Sequence, residues 1–322
     1  MLVAPDAFKG TLRSPEVAAA LGRGLESGGR PVDLCPLADG GEGTLEVLLP
    51  ALGGETAGAT VADPLGRPVH AGFGLLEDGA LAVVETAAAS GLGLVAPEER
   101  DAERADTRGT GELILAAVAA GAEVICVAVG GSATTDGGRG ALAAIAGAGG
   151  LRGATLVVLC DVRTPWERAA EVYGPQKGAD PAAVGRLAQR LDRLAGELPR
   201  DPRGIPGTGA AGGLAGGLWA VHGAVLEPGA AWILDRLDFD VRLRAARAVV
   251  TGEGRLDAST LEGKAVAEVA TRARQAGVAC HAVAGQNALA PSDARVLDLG
   301  EILEAGTPAA LEAAGRTLAG HL

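Results

Sequence analysis

The feature that most constrains this chain is a repeated cycle of short apolar strand, glycine-rich polar loop and helix. LVAP leads through PDAFKG to a helix opened by Ser14-Pro15-Glu16, a capping-type residue followed by proline at the first helical position. The apolar stretch at 32–37 runs into ADGGEGT and a helix beginning at Thr44. Strands joined in this way lie parallel, because a helical crossover returns the chain to the same edge. Polar loops then collect beyond the strand C-terminal ends, where open α/β sheets bind ligands.

The cycle breaks near residue 56. ETAGATVADPLGRPVHAGFGLLEDGALAVVET reads as three strands joined by tight turns, at Asp63-Pro64 with Gly66 and at Asp78-Gly79. Alternation resumes with a helix over 111–120, a strand over 123–129, a helix over 140–148 and a strand over 155–160. A long amphipathic helix (181–198) and the proline-rich connector PRDPRGIPG follow. From residue 245 the parallel style returns: an AVV strand, a TGEG loop, a helix over 264–275, a strand over 278–284 and a last helix over 308–319. The expected fold class is α/β with two domains. A parallel-sheet domain comprises 1–56 and 245–322, and a mixed α/β domain, 57–244, is inserted into it.

Composition narrows the function. A net charge of −12 argues against nucleic-acid and anionic-membrane partners, so an anionic ligand needs a local cationic cluster. No apolar run reaches the roughly 18 residues of a membrane span, and MLVAPDAFKG lacks a secretory-leader pattern. Cys35, Cys126, Cys160 and Cys280 show no metal-binding spacing and read as buried thiols of a cytoplasmic protein. The four histidines have no mutual spacing, and no G-x-S-x-G elbow occurs. Of 28 basic residues only Lys9, Lys177 and Lys264 are lysines, each with a glycine beside it. A compact ammonium is not interchangeable with a planar guanidinium, so these three suggest point-charge contacts with an anion.

Five loops carry chemistry. VGGSATTDGG places Gly130, Gly131, Gly137 and the hydroxyls of Ser132, Thr134 and Thr135 between a strand and a helix start, as a phosphate cradle would. Asp136 there either binds a phosphate-bound Mg²⁺ or caps the helix. ADGGEGT offers Asp39 and Glu42 to Mg²⁺ or to a substrate hydroxyl. TGEGRLDASTLEGK brings Glu253, Arg255, Asp257 and Lys264 together, TRGTGE supplies Arg108 at a helix start, and Asp161 ends a strand. GTGAAG, with Gly209 and Gly212, follows a connector rather than a strand, so it reads as an anion-binding helix start and not as a dinucleotide site. Cations, carboxylates and glycine loops without a nucleophile are what phosphoryl transfer uses.

APDAFKG, ADGGEGT, AAASGL, TRGTGELI, VGGSATTDGG, CDV, GPQKGAD, PGTGAAGG and TGEGRLDASTLEGK, in this order, closely resemble bacterial glycerate kinase of the type 1 family, over nearly the whole chain. The resemblance implies ATP- and Mg²⁺-dependent phosphorylation of D-glycerate, usually to 2-phosphoglycerate. It implies a flavodoxin-like domain with a restriction-endonuclease-like insertion, an active site in the cleft between them, and a monomer or homodimer. ATP phosphates would lie on the Gly130–Gly138 loop and near Gly209 and Gly212, with Lys177 or Lys264 neutralising charge. Lys9, Arg108 or Arg255 would pair with the glycerate carboxylate, and Asp6, Gly40, Gly41 and Ser90 would complete the substrate site. One carboxylate among Asp39, Asp161 and Asp257 would take the hydroxyl proton, while Asp136 or Glu42 would hold the metal. Two departures bear on substrate fit: a segment cut to little more than GGLRGA before residue 155, and Thr164-Pro165-Trp166 where the family has Asn-Pro-Leu. The alternatives are a kinase for another small hydroxy acid and a non-catalytic metabolite-binding protein on the same scaffold.

Overall fold

The computed structural model describes residues 1–8, 10–262 and 264–321. The chain forms two compact units, Met1–Asp39 with Ala230–Leu322, and Gly40–Gly229. The first begins with β1 (Leu2–Pro5) and β2 (Asp33–Leu34), joined by the helix Ser14–Ser27. The second contains β3 (Gly54–Ala62), β4 (Pro68–Leu76), β5 (Leu81–Glu85), β6 (Val124–Ala128), β7 (Thr155–Cys160) and β8 (Val225–Pro228). The chain returns to the first unit with β9 (Ala248–Leu256), β10 (Ala279–Asn287) and β11 (Leu299–Glu304).

The sheet of the first unit is wholly parallel, in the order β11-β10-β9-β1-β2. Counted along its own strands this is 2-1-3-4-5, the flavodoxin-like order, with a topological switch point between β1 and β9. Leu2, Val3, Val249, Val250 and Val283 are fully buried, as strands covered on both faces require. The second sheet is mixed, in the order β3-β4-β5-β6-β7-β8. Strands β3, β4 and β5 form the expected antiparallel meander, and β5 to β8 run parallel. Its core is aliphatic, built on Val84, Leu113, Ile125, Val127 and Val158, with few aromatic rings.

Several elements differ from the sequence reading. The units divide at 39/40 and 229/230, while the chain changes style at 56 and 245. The helix Thr44–Leu52 explains the first offset, because it packs on β3, β4 and β5 of the second unit. TGEG, expected as a loop, lies within β9, where Gly252 pairs with Val283 of β10. A Cβ on Gly252 would stand 2.1 Å from the Val283 carbonyl oxygen, so the glycine there serves close strand approach. Strands β8 and β11 add to the expected set. All four cysteines are buried, and none forms a disulfide among the described residues. Among the described residues no helix is long and apolar enough to cross a membrane.

Candidate active site

At the switch point of the first unit, residues at and beyond the C-terminal ends of β1, β2, β9, β10 and β11 line a cavity of about 480 Å³, a size typical of small-molecule sites. Asp6, Asp39, Arg255, Asp257 and Lys264 all line it. Five residues from three separate loops of the chain thus meet at one place. The backbone explains why. Asp6 donates its amide to the Gly252 carbonyl (2.8 Å), extending the β1–β9 ladder by one residue and holding its carboxylate beside the end of β9. Asp6 and Asp39 are buried, as is Glu253.

Asp257 organises the cationic side of the cavity. Its Oδ1 accepts from the Ser259 amide (2.9 Å) and hydroxyl (2.6 Å), an Asx-turn that fixes the loop. Its Oδ2 accepts from Arg255 Nε (3.1 Å), and Arg255 Nη1 donates to Gln286 Oε1 (2.8 Å). Lys264 Nζ donates to the Ser259 hydroxyl at 2.8 Å. The Ser259 hydroxyl and amide, followed by Arg255 and Lys264, hold the Asp257 carboxyl below its usual range. Beneath it, the buried Thr260 hydroxyl donates to Glu253 Oε1 (2.7 Å) and accepts from the Asp257 amide (3.1 Å). Ser259, Thr260 and Gln286 escape a reading of the sequence because nothing marks them but adjacency to a motif. Lys9 lies outside the described residues.

The glycine loop of the second unit differs from expectation. It connects β6 to the helix Arg139–Gly147, as the pattern requires. Asp136 acts as a cap in this arrangement. Its Oδ2 accepts from the Thr107 amide (3.0 Å), the Thr107 hydroxyl (2.8 Å) and the Gly140 amide (2.9 Å), and its Oδ1 from the Gly138 amide (3.1 Å). Ala141 donates its amide to Thr107 Oγ1 at 3.0 Å. Donors that a helix start usually offers to an anion are therefore satisfied internally, and a carboxylate already neutralises the helix dipole.

Lys177 also turns inward. It is 2 % exposed and lies under the loop, where Nζ donates to Ser132 Oγ (3.0 Å) and to the Thr134 carbonyl (2.5 Å). Burial pushes its ammonium down to about 7, against the opposing pull of the Asp136 charge. The glycines are consumed by packing. A Cβ on Gly130 would meet Gly41 Cα at 2.6 Å, and one on Gly209 would meet the Pro165 carbonyl at 2.5 Å. Gly212 has φ +64°, a Cβ position 2.1 Å from the Thr134 carbonyl, and a carbonyl that accepts from the Gly137 amide (3.0 Å). Among the described residues the buried Thr134 and Thr135 hydroxyls have no hydrogen-bond partner, so they are the loop's uncommitted polar groups.

The remaining candidates lie in the second unit. The buried Ser90 accepts from the Thr110 hydroxyl (2.8 Å), and its carbonyl accepts from the Ala133 amide (2.9 Å), bracing the loop. Arg108 Nε is paired with Glu112 Oε1 at 2.7 Å. Asp161 follows the buried Cys160 at the end of β7. Gly40 and Gly41 precede Glu42, whose Oε2 lies 3.8 Å from a Cβ position on Gly131. The Glu42 charge also adds to the burial that raises the Glu85 carboxyl. For Mg²⁺, Asp136 already accepts four hydrogen bonds, whereas Asp6, Asp39, Glu253 and Asp257 give the first-unit cavity hard oxygen donors that fit. No cluster of three metal-ligating side chains exists among the described residues, but Mg²⁺ commonly takes one or two carboxylates and completes its shell with phosphate and water.

Residues 1–149 and 148–314 match the glycerate kinase family model. The chain belongs to the glycerate kinase family. Similar members include a glycerate kinase of Bacillus subtilis (strain 168), 39 % identical over 88 % of this chain and 84 % of that one. A glycerate 2-kinase of Escherichia coli (strain K12) is 36 % identical over 85 % and 82 %. A crystal structure described as a candidate glycerate kinase 2 from Salmonella typhimurium LT2 superposes with a TM-score of 0.84 at 33 % identity, covering 99 % of this chain and 97 % of that one. The two family-matched segments meet at 148–149, beside the shortened segment noted in the sequence.

Proposed function

We propose that the protein transfers the γ-phosphoryl group of ATP to the 2-hydroxyl of D-glycerate, giving 2-phosphoglycerate. The observation that carries this reading is the first-unit cavity, where two cations and several carboxylates converge at a strand switch point. Family membership supplies the substrate class, since similar members are named glycerate kinase and, in one case, glycerate 2-kinase. When bound, Mg²⁺–ATP supplies the transferable phosphoryl group and part of the charge neutralisation.

This chain's residues divide the remaining work. Arg255, held by Asp257 and Gln286, presents a planar guanidinium suited to a carboxylate. Lys264, anchored on Ser259, is the point charge that meets negative charge developing during transfer. Asp257, kept ionised by its donors, is a weak proton acceptor and suits a cation-holding role. Asp39, buried in the same cavity, takes the proton of the 2-hydroxyl. Asp161 is not among the residues lining that cavity. The test is glycerate-dependent ADP formation with Mg²⁺, with the product identified by phosphorus NMR. Absence of turnover with D-glycerate sinks the reading, and 3-phosphoglycerate as product sinks the assignment of the 2-hydroxyl.

A further inference from the structure

The second unit carries a groove that none of these roles uses. It runs between the helices Arg108–Ala119 and Arg139–Gly147 and encloses about 740 Å³. Each helix is a crossover between parallel strands, the first ending before β6 and the second before β7, so their N-termini lie at the same end of the sheet. Four arginines, Arg104, Arg108, Arg139 and Arg190, line that end together with four acids. Towards the other end the lining becomes small and apolar: Leu115, Ala144, Gly147 and Ala148. Residues 139 to 148 span roughly 13 Å of helix, enough for phosphates at one end and a flat ring system at the other.

The charges in the groove are not balanced. Every acid lining it is already engaged: Glu103 with Arg186, Glu112 with Arg108, Asp136 with its four donors, and Asp106 with the Arg108 amide. Arg190 donates Nη1 to the Glu103 carbonyl (2.8 Å) and Nη2 to the Thr135 carbonyl (2.9 Å), while its buried Nε has no partner among the described residues. The guanidinium groups of Arg104 and Arg139 make no hydrogen bond or ion pair among the described residues, although the chain carries a net charge of −12. Two guanidinium forks free of any acid partner match the charge and geometry of a di- or polyphosphate. The neighbouring stripe offers no polar side chain, which suits the face of a base.

We propose that this groove binds a nucleoside phosphate, with its phosphates on Arg104 and Arg139 and its base along Ala144 to Ala148. The assignment leans on the kinase reading only for the choice of adenine. Calorimetric titration of the full-length protein with ADP and with inorganic pyrophosphate, in the absence of glycerate, tests it directly. R104A/R139A removes two unpartnered side chains and is expected to fold normally while weakening ADP and pyrophosphate binding by about tenfold or more. G147F blocks the other end. A Cβ on Gly147 meets nothing within 4 Å, so the ring projects without disturbing the helix. It is expected to weaken ADP binding and leave pyrophosphate binding unchanged.

A parallel rise in the KM for ATP of R104A/R139A assigns the groove to the reaction's own nucleotide. An unchanged KM with lost ADP binding assigns it to a separate nucleotide that acts as an effector. Wild-type protein that fails to bind ADP, or equal binding by all three proteins, overturns the proposal. Loss of glycerate turnover in the wild type, with ADP binding intact, would instead remove the kinase reading and leave the groove standing.

Discussion

The first unit's cavity and the second unit's glycine loop are alike in sequence and differ in structure. Both are polar segments beyond a strand, rich in glycine and associated with a lysine and an aspartate. In the first, Lys264 and Asp257 are joined through Ser259 at the wall of a cavity. In the second, Lys177 and Asp136 are buried and turned on the protein itself. Glycine-rich loops serve two ends, presenting amides to a ligand or letting backbones touch, and composition does not distinguish them. The place of the lysine does, at a cavity wall for Lys264 and beneath the loop for Lys177.

The strongest way to break this contrast is at the lysines. Lys264→Met is expected to lower kcat/KM for glycerate by ~10²–10³-fold while leaving the melting temperature nearly unchanged, since it removes a charge that acts on the substrate. Steady-state kinetics beside thermal unfolding checks both halves. Lys177→Met should instead act on stability. The folded ammonium titrates at about 7 against an ordinary 10.5, so between these values the unfolded chain holds a proton that the folded protein has released. Stability of the wild type should therefore rise with pH across that window, by an amount on the order of a few kcal/mol, and this rise should vanish in the methionine variant. Urea unfolding at about pH 7 and about pH 9.5, inside that window, measures it. Identical pH dependence for the two proteins would contradict the assignment.

Gly212→Ala probes the packing role of the loop. A left-handed backbone and a Cβ 2.1 Å from the Thr134 carbonyl should together cost about 3 kcal/mol in denaturant unfolding. A neutral result would mean that the contact relaxes and that the glycine serves something else. Asp136→Asn is a milder perturbation. It keeps shape but turns one acceptor into a donor facing amide and hydroxyl donors, an expected loss of about 2 kcal/mol.

Much of this is legible in the sequence, and the reasons differ by region. The parallel sheet of the first unit is readable because LVAP and AVV are continuous apolar runs, as strands buried on both faces must be. The β3–β5 meander is readable from Asp63-Pro64 and Asp78-Gly79. Strand β11 is not, because LGEILE is mostly half-exposed and lacks a clean apolar run. The unit boundary at 39/40 is hidden because the helix Thr44–Leu52 has the same sequence pattern whichever sheet it covers. At the site, Asp6, Asp39, Arg255, Asp257 and Lys264 are legible as charged residues at or just beyond strand ends. The burial of Lys177 is not, because it depends on Tyr173, Ser132 and Thr134 closing round it, and these meet only in the folded chain. Arg104 and Arg139 carry no mark in the sequence, because being unpartnered is a property of neighbours.

The central claim is that the first-unit cavity does the chemistry while the second-unit glycine loop is scaffold. Glycerate-dependent ADP formation per folded molecule, measured across Mg²⁺ concentrations for Lys264→Met and Asp136→Asn side by side, tests it most directly. The expected result is near-complete loss of turnover in Lys264→Met, with wild-type turnover and Mg²⁺ dependence in the less stable Asp136→Asn. A tenfold or greater rise in the Mg²⁺ that Asp136→Asn requires, or full activity in Lys264→Met, would contradict it.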